Sequence, residues 1–129
     1  MALLVPDAGE VKMLQLALAG NTTLKLFISN TTPAEGDTAA SYTEMSTLGY
    51  AAKTLTGGSW SVSSAAGVTT ASYAEQTYTF TGGTPVTVYG YFIIEATGGV
   101  ILWAERFTAS QVIQNTGDQI KITPKITLE

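Results

Sequence analysis

The chain contains no cysteine and no histidine, and it is poor in charge, with six basic and ten acidic residues among 129. Each absence excludes a chemistry. Without cysteine there is no disulfide framework, no zinc–thiolate site and no thiol nucleophile. Without histidine there is no Ser–His or Cys–His catalytic pair and no imidazole metal site. The net charge of −4 leaves no basic face of the kind a nucleic-acid binder presents. No apolar run approaches the roughly 20 residues a membrane-spanning helix needs. Residues 1–5 are apolar, but they are too short for the core of a secretory leader and lack a basic lead-in, so none is expected. Charged residues make up 12% of the chain, about half the roughly 25% of an ordinary soluble domain.

What remains is a chain that is 45% hydrophobic with 13 glycines, filled out by Ser and Thr. Its length suits one domain with a core of its own. We expect that domain to cover 1–129, with an N-terminal arm or helix over 1–20 and a β core over 23–129. The N-terminal segment is the one helix expected. Asp7 and Glu10 have the spacing of a capping box. Val11, Leu14 and Leu18 follow at helical intervals, and Gly20-Asn21 stops the run.

From Thr23 the period becomes two. Leu24, Leu26 and Ile28 alternate with Lys25, Phe27 and Ser29, which reads as a half-buried strand. Residues 30–37, with Pro33 and Gly36, read as a loop. Short strands are expected over 50–56 and at Trp60 to Val62, with Gly57-Gly58 as the turn between them. Residues 63–67 are small and polar and read as a connection. Tyr78 and Phe80 alternate with three threonines. The strongest signal is a hairpin of 86–96 and 100–107 around Thr97-Gly98-Gly99. Setting Ala96 opposite Val100 puts Val86, Val88, Phe92, Ile94, Leu102 and Ala104 on one apolar face, expected to be the core side. Tyr89, Tyr91, Ile93, Glu95, Ile101, Trp103 and Glu105 then face outward. In the tail, Ile120, Ile122, Ile126 and Leu128 alternate with polar residues. Pro124 falls on the apolar register, so this strand should lie at an edge or carry a bulge. Lys121 and Lys125 on its outer face would deter edge pairing. The fold class expected is all-β, an antiparallel β-sandwich with one short N-terminal helix.

No catalytic signature accompanies this pattern. Glu95 and Glu105 share a face of the hairpin, but they read as solvated charges rather than an acid–base pair. The other carboxylates are scattered, with no calcium loop among them. The serines lack a G-x-S-x-G setting, and the glycine pairs are turns, not a phosphate cradle. No enzyme activity, cofactor or metal is expected. The outer stripe of Tyr89, Tyr91, Ile93 and Trp103 has three readings: cover by another part of the chain, a protein interface, or a platform for stacking sugars. Arg106, the sole arginine, reads as one half of a salt bridge at the rim.

The charge deficit carries a functional implication. Neutral sheet edges and faces pair with other chains, and free monomers carry more surface charge than this. A subunit of a larger assembly escapes that difficulty because its surface is covered. The segments VPDAGEVKML (5–14), LKLFISNTTP (24–33), GYAAKTLTGGSW (49–60), AEQTYTFTGG (74–83), VYGYFIIEATGGVILWAERF (88–107) and GDQIKITPKITLE (117–129) carry a resemblance. Over nearly its whole length the chain resembles small virion structural proteins of tailed bacteriophages. The resemblance implies a capsid cement or decoration protein on the outer shell, made in the host cytoplasm and bound to the lattice of the major capsid protein as a dimer or trimer. Contacts are then expected from Val5 and the rest of 1–6, from Pro33 in the 30–37 loop, and from the aromatic stripe. A tail or fibre component and a carbohydrate-binding β-sandwich module are the alternatives.

Overall fold

The computed structural model describes residues 2–129. Helix α1 (Asp7–Ala17) leads into strands β1 (Thr22–Phe27), β2 (Lys53–Leu55), β3 (Ser61–Ala65), β4 (Val68–Ser72), β5 (Gln76–Thr79), β6 (Val86–Glu95), β7 (Ile101–Ile113), β8 (Gln119–Ile122) and β9 (Lys125–Leu128). All pairings are antiparallel. The fold is all-β with one short N-terminal helix, as the alternation predicts.

Helix α1 begins and ends close to where the spacing places it, but its cap differs. Pro6 is the N-cap, and no side chain caps the helix. Asp7 sits one position too late to accept as a cap, and Glu10 turns away to accept a 2.7 Å hydrogen bond from the Thr69 hydroxyl on β4. That bond and the burial of Leu14 and Leu18 hold the helix on β3 and β4.

One sheet has the order β2-β1-β6-β7. The remaining strands form β3-β4-β9 and β5-β8, and these two ladders are a single bent one. β4 runs on into β5 while β8 runs on into β9. The Tyr73 N–H donates to the Pro124 carbonyl across the gap. Ser72 pairs with Lys125 on one side of the gap and Gln76 with Ile122 on the other, a slip of one residue at Pro124. Proline lacks the N–H that would keep the ladder regular. Pro124 is buried, and the expected irregularity falls on it. The two layers share one core. Leu24, Leu26 and Ile93 from the first meet Ala71, Tyr78, Ile120 and Ile122 from the second. The Tyr78 hydroxyl donates to the Leu24 carbonyl at 3.0 Å in the interior, satisfying two buried polar groups with one bond.

Residues 63–67, read as a connection, instead supply the end of β3 and the turn into β4, a strand that carries no large side chain to announce it. Its Thr69 and Ala71 are buried, while Ala66 and Gly67, both at positive φ, make the turn from β3.

The β6–β7 hairpin follows the expected register from Gly90–Arg106 to Ile93–Trp103. It departs at both ends. Near the turn Leu102 is an extra residue, so Ile94 pairs with Ile101. Farther on, Gly90 pairs with Arg106 and Val88 with Gln111, so Tyr89 alone faces β7 residues 107–110. This large bulge carries β7 on to Ile113 and exchanges the faces of β6 along its length.

Candidate functional site

The bulge overturns the expected assignment of inside and outside. Val88 and, beyond the bulge, Tyr91 and Ile93 all enter the main core, with Trp103, Leu102 and Phe107 packed against it. Phe92 enters a second, smaller core with Phe27 and Tyr42, where Tyr89, Ile94, Ile101 and Ala104 also pack. β6 lies between β1 and β7 and is covered on both faces, so the choice of one wet face fails. Tyr91 and Ile93, expected as surface residues, are buried and form no exposed stripe. Intramolecular cover, one of the three readings of the stripe, applies to them.

Tyr91, Trp103 and Tyr89 each have a defined setting. The Tyr91 hydroxyl donates to the Glu105 carboxylate at 2.6 Å. Burial, with help from Glu105, holds the phenol well above its ordinary value. Trp103 is half-buried, edge-on to Trp60 with ring centroids 5.7 Å apart, and neither indole N–H finds a partner that meets hydrogen-bond geometry. Tyr89 lies beneath the Arg106 guanidinium, 5.2 Å from the ring centroid. Contrary to the expected rim salt bridge, Arg106 pairs with no carboxylate among the described residues. It donates to the Thr31 carbonyl at 3.0 Å and to Asn30 Oδ1 at 2.6 Å. A planar guanidinium can stack and donate at once, and here it staples loop 30–37 to the sheet.

That loop brings Pro33 to Trp103. Both line a small cleft of about 260 Å³ with Tyr42 and Asp37. The Tyr42 hydroxyl donates to Asp37 at 2.7 Å, and the Ala34 N–H donates to the same carboxylate oxygen at 2.8 Å. These bonds hold the Asp37 carboxyl below its ordinary value. Burial, then the Asp37 carboxylate, push the Tyr42 phenol up to about 12.

Glu95 and Glu105 do not come together. Glu105 pairs with Tyr91, which places their backbone positions about 13 Å apart along the sheet. Among the described residues no cluster of three or more Asp or Glu could hold a metal ion, and no helix is long and apolar enough to cross a membrane.

Beyond Val100 and Val112 on the hairpin, the large exposed apolar side chains lie elsewhere. Leu3 is 95% exposed, Leu4 83%, Met13 54% and Leu16 64%, all on the arm and α1. Val5, named from the sequence, is only half-buried and leans on Gly9. Its neighbours Leu3 and Leu4 are the bare residues. Their one sequence signal is two leucines outside any periodic element, just before a proline. A second cleft, of about 460 Å³, separates β7 from β8. No family model matches the chain, and no curated protein matches its sequence.

Proposed function

We propose that this chain is a non-enzymatic structural component of a tailed-phage virion that binds the assembled capsid and stabilises it. The observation that carries the reading is the apolar surface of the arm and α1 on a chain with 12% charge. Leu3, Leu4, Met13 and Leu16 would each gain roughly 1.5–3 kcal/mol on full burial. A free monomer forgoes that energy, and a subunit in an assembly gains it.

Three further features support the reading. The resemblance to phage virion proteins covers nearly the whole sequence. Loop 30–37, with Pro33 beside Trp103, is held in place by Arg106, so it would meet a partner without first losing conformational freedom. Many copies on a symmetric lattice would turn modest single contacts into strong binding. On this reading the protein sits on the capsid surface, and the major capsid protein is its partner.

The test is electron microscopy of the purified particle, together with thermal melting of capsids with and without the protein. Density at many equivalent capsid positions and a raised capsid melting temperature are expected. Density confined to the tail, or no binding to capsids, overturns the assignment.

A further inference from the structure

Two parts of the molecule each lack what the other supplies. The first is the arm ahead of α1. Leu3 and Leu4 stand in solvent, and among the described residues no backbone group of 2–5 pairs with another backbone group. The second is the cleft between β7 and β8. Among the described residues both strands have a free edge there, since β7 pairs only with β6 and β8 only with β5. The bulge at 107–110 also removes part of the β7 ladder to β6. Residues 107–110 therefore have no ladder pairing on either side among the described residues, and the Ala109 carbonyl accepts a 3.1 Å bond from the Gln111 side-chain amide.

The chemistry of the two matches. The cleft walls include the apolar groups Phe107, Ala109 and Ile120, and its charges, Glu105 and Lys121, are of opposite sign. The arm, Ala2 to Pro6, carries no charged side chain, so it could enter without stranding an unpaired charge. Its backbone can donate and accept where β7 is open, as in strand addition. The cleft has a volume of about 460 Å³, within the range of small-ligand sites. Within one chain the arm does not occupy the cleft, because Leu3 and Leu4 are exposed.

We infer that the N-terminal arm of one copy adds to the open β7 edge of a second copy, with Leu3 and Leu4 in the β7–β8 cleft. The inference rests on the proposed function only in taking the chain to work in multiple copies, and it is tested on the free protein without capsids. Arm and cleft are different surfaces, so the contact is either exchanged reciprocally in a closed dimer or passed around a ring.

Light scattering on the full chain should give at least twice the monomer mass of 13.5 kDa. Deleting residues 2–5 should return it to monomer, as should Ala109→Trp, a change at an exposed position that fills the cleft. Mixing these two variants should restore association, because one keeps a cleft and the other an arm. The chain has no cysteine, so Leu4→Cys mixed with Ala109→Cys should give a mixed disulfide under mild oxidation, whereas Leu4→Cys mixed with Ser63→Cys on β3 should not. A monomeric wild type, an arm-deleted chain that still associates, or equal cross-linking to position 63 overturns the inference. Decoration of capsids by a chain that is monomeric when free would sink arm exchange and leave the proposed function standing. Arm-dependent association without capsid binding would do the reverse.

Discussion

Gly90→Ala tests the register on which the assignment of buried and exposed residues depends. Gly90 lies in β6 beside the bulge, opposite Arg106. A Cβ built there overlaps the Glu105 carbonyl oxygen and meets the Phe27 ring at 2.6 Å. The oxygen belongs to the neighbouring strand and cannot turn aside, while the ring is wedged in the smaller core against Tyr42. Overpacking of a core costs about 1–3 kcal/mol, and two unyielding neighbours place this case near 3 kcal/mol. For 129 residues an unfolding entropy of about 2 cal/mol/K per residue converts that loss to a fall of roughly 11 °C in melting temperature. Urea denaturation and thermal melting both read it. Gly20→Ala is the control, since a Cβ there meets nothing within 4 Å, and it should shift stability by no more than about 0.5 kcal/mol. If Gly90→Ala lost less than about 1 kcal/mol against that control, the close approach of β6 and β7 would be wrong. The burial of Tyr91 and Ile93 would fall with it.

Arg106→Ala should cost about 1–2 kcal/mol, from two charge-assisted hydrogen bonds at a partly exposed site. Hydrogen exchange should accelerate selectively in loop 30–37, and uniform acceleration across the sheet would refute the staple. Tyr42 has its folded value raised from 10.0 to about 12, so its contribution is complete below pH 10 and is lost as pH rises toward 12. Tyr50, Tyr78 and Tyr91 are raised in the same direction, chiefly by burial. Stability measured by urea at successive pH values should therefore fall above pH 10, and a flat profile to pH 12 would contradict the burial of these phenols. Asp37 and Asp118 are lowered from 3.8 by hydrogen bonds they accept. The stabilisation they give should be present above about pH 4 and fade as pH falls below it. Trp60 is buried and Trp103 half-buried, with both indole N–H groups unpaired. Folded emission should therefore be blue-shifted and poorly quenched by iodide, and strong quenching would place the pair at the surface.

The readable parts of the fold are those where one face is wet. Tyr78 and Phe80 alternate with threonines and are both buried. Ile120 and Ile122 alternate with exposed Gln119 and Lys121, and Pro124 marks its own irregularity. Period two carries no such information in β6, where apolar residues serve two cores and a bulge changes which parity faces which core. β4 is hidden for the opposite reason. Thr69 and Ala71 fill interior positions without large side chains, and the Thr69 hydroxyl is satisfied by a carboxylate 59 residues away. The surface features were legible in part. Pro33 and Trp103 do meet at one cleft, whereas Leu3 and Leu4 lie outside any periodic pattern. The role of Arg106 depends on where a loop about 75 residues upstream comes to rest.

The bent ladder bears on the order in which the molecule is built. The β6–β7 turn joins residues close in sequence, and such a contact costs little loop entropy. β9 instead pairs with β4, Leu128 opposite Thr69, which closes a loop of about sixty residues. Folding is slowed by contacts of this kind. During synthesis β4 and β5 therefore wait with unpaired edges until β8 and β9 emerge. These waiting strands contain no Lys, Arg, Asp or Glu, and only Glu75 between them supplies a charge to repel a neighbouring chain. The interval before β9 closes on β4 is the stage most exposed to mispairing between nascent copies.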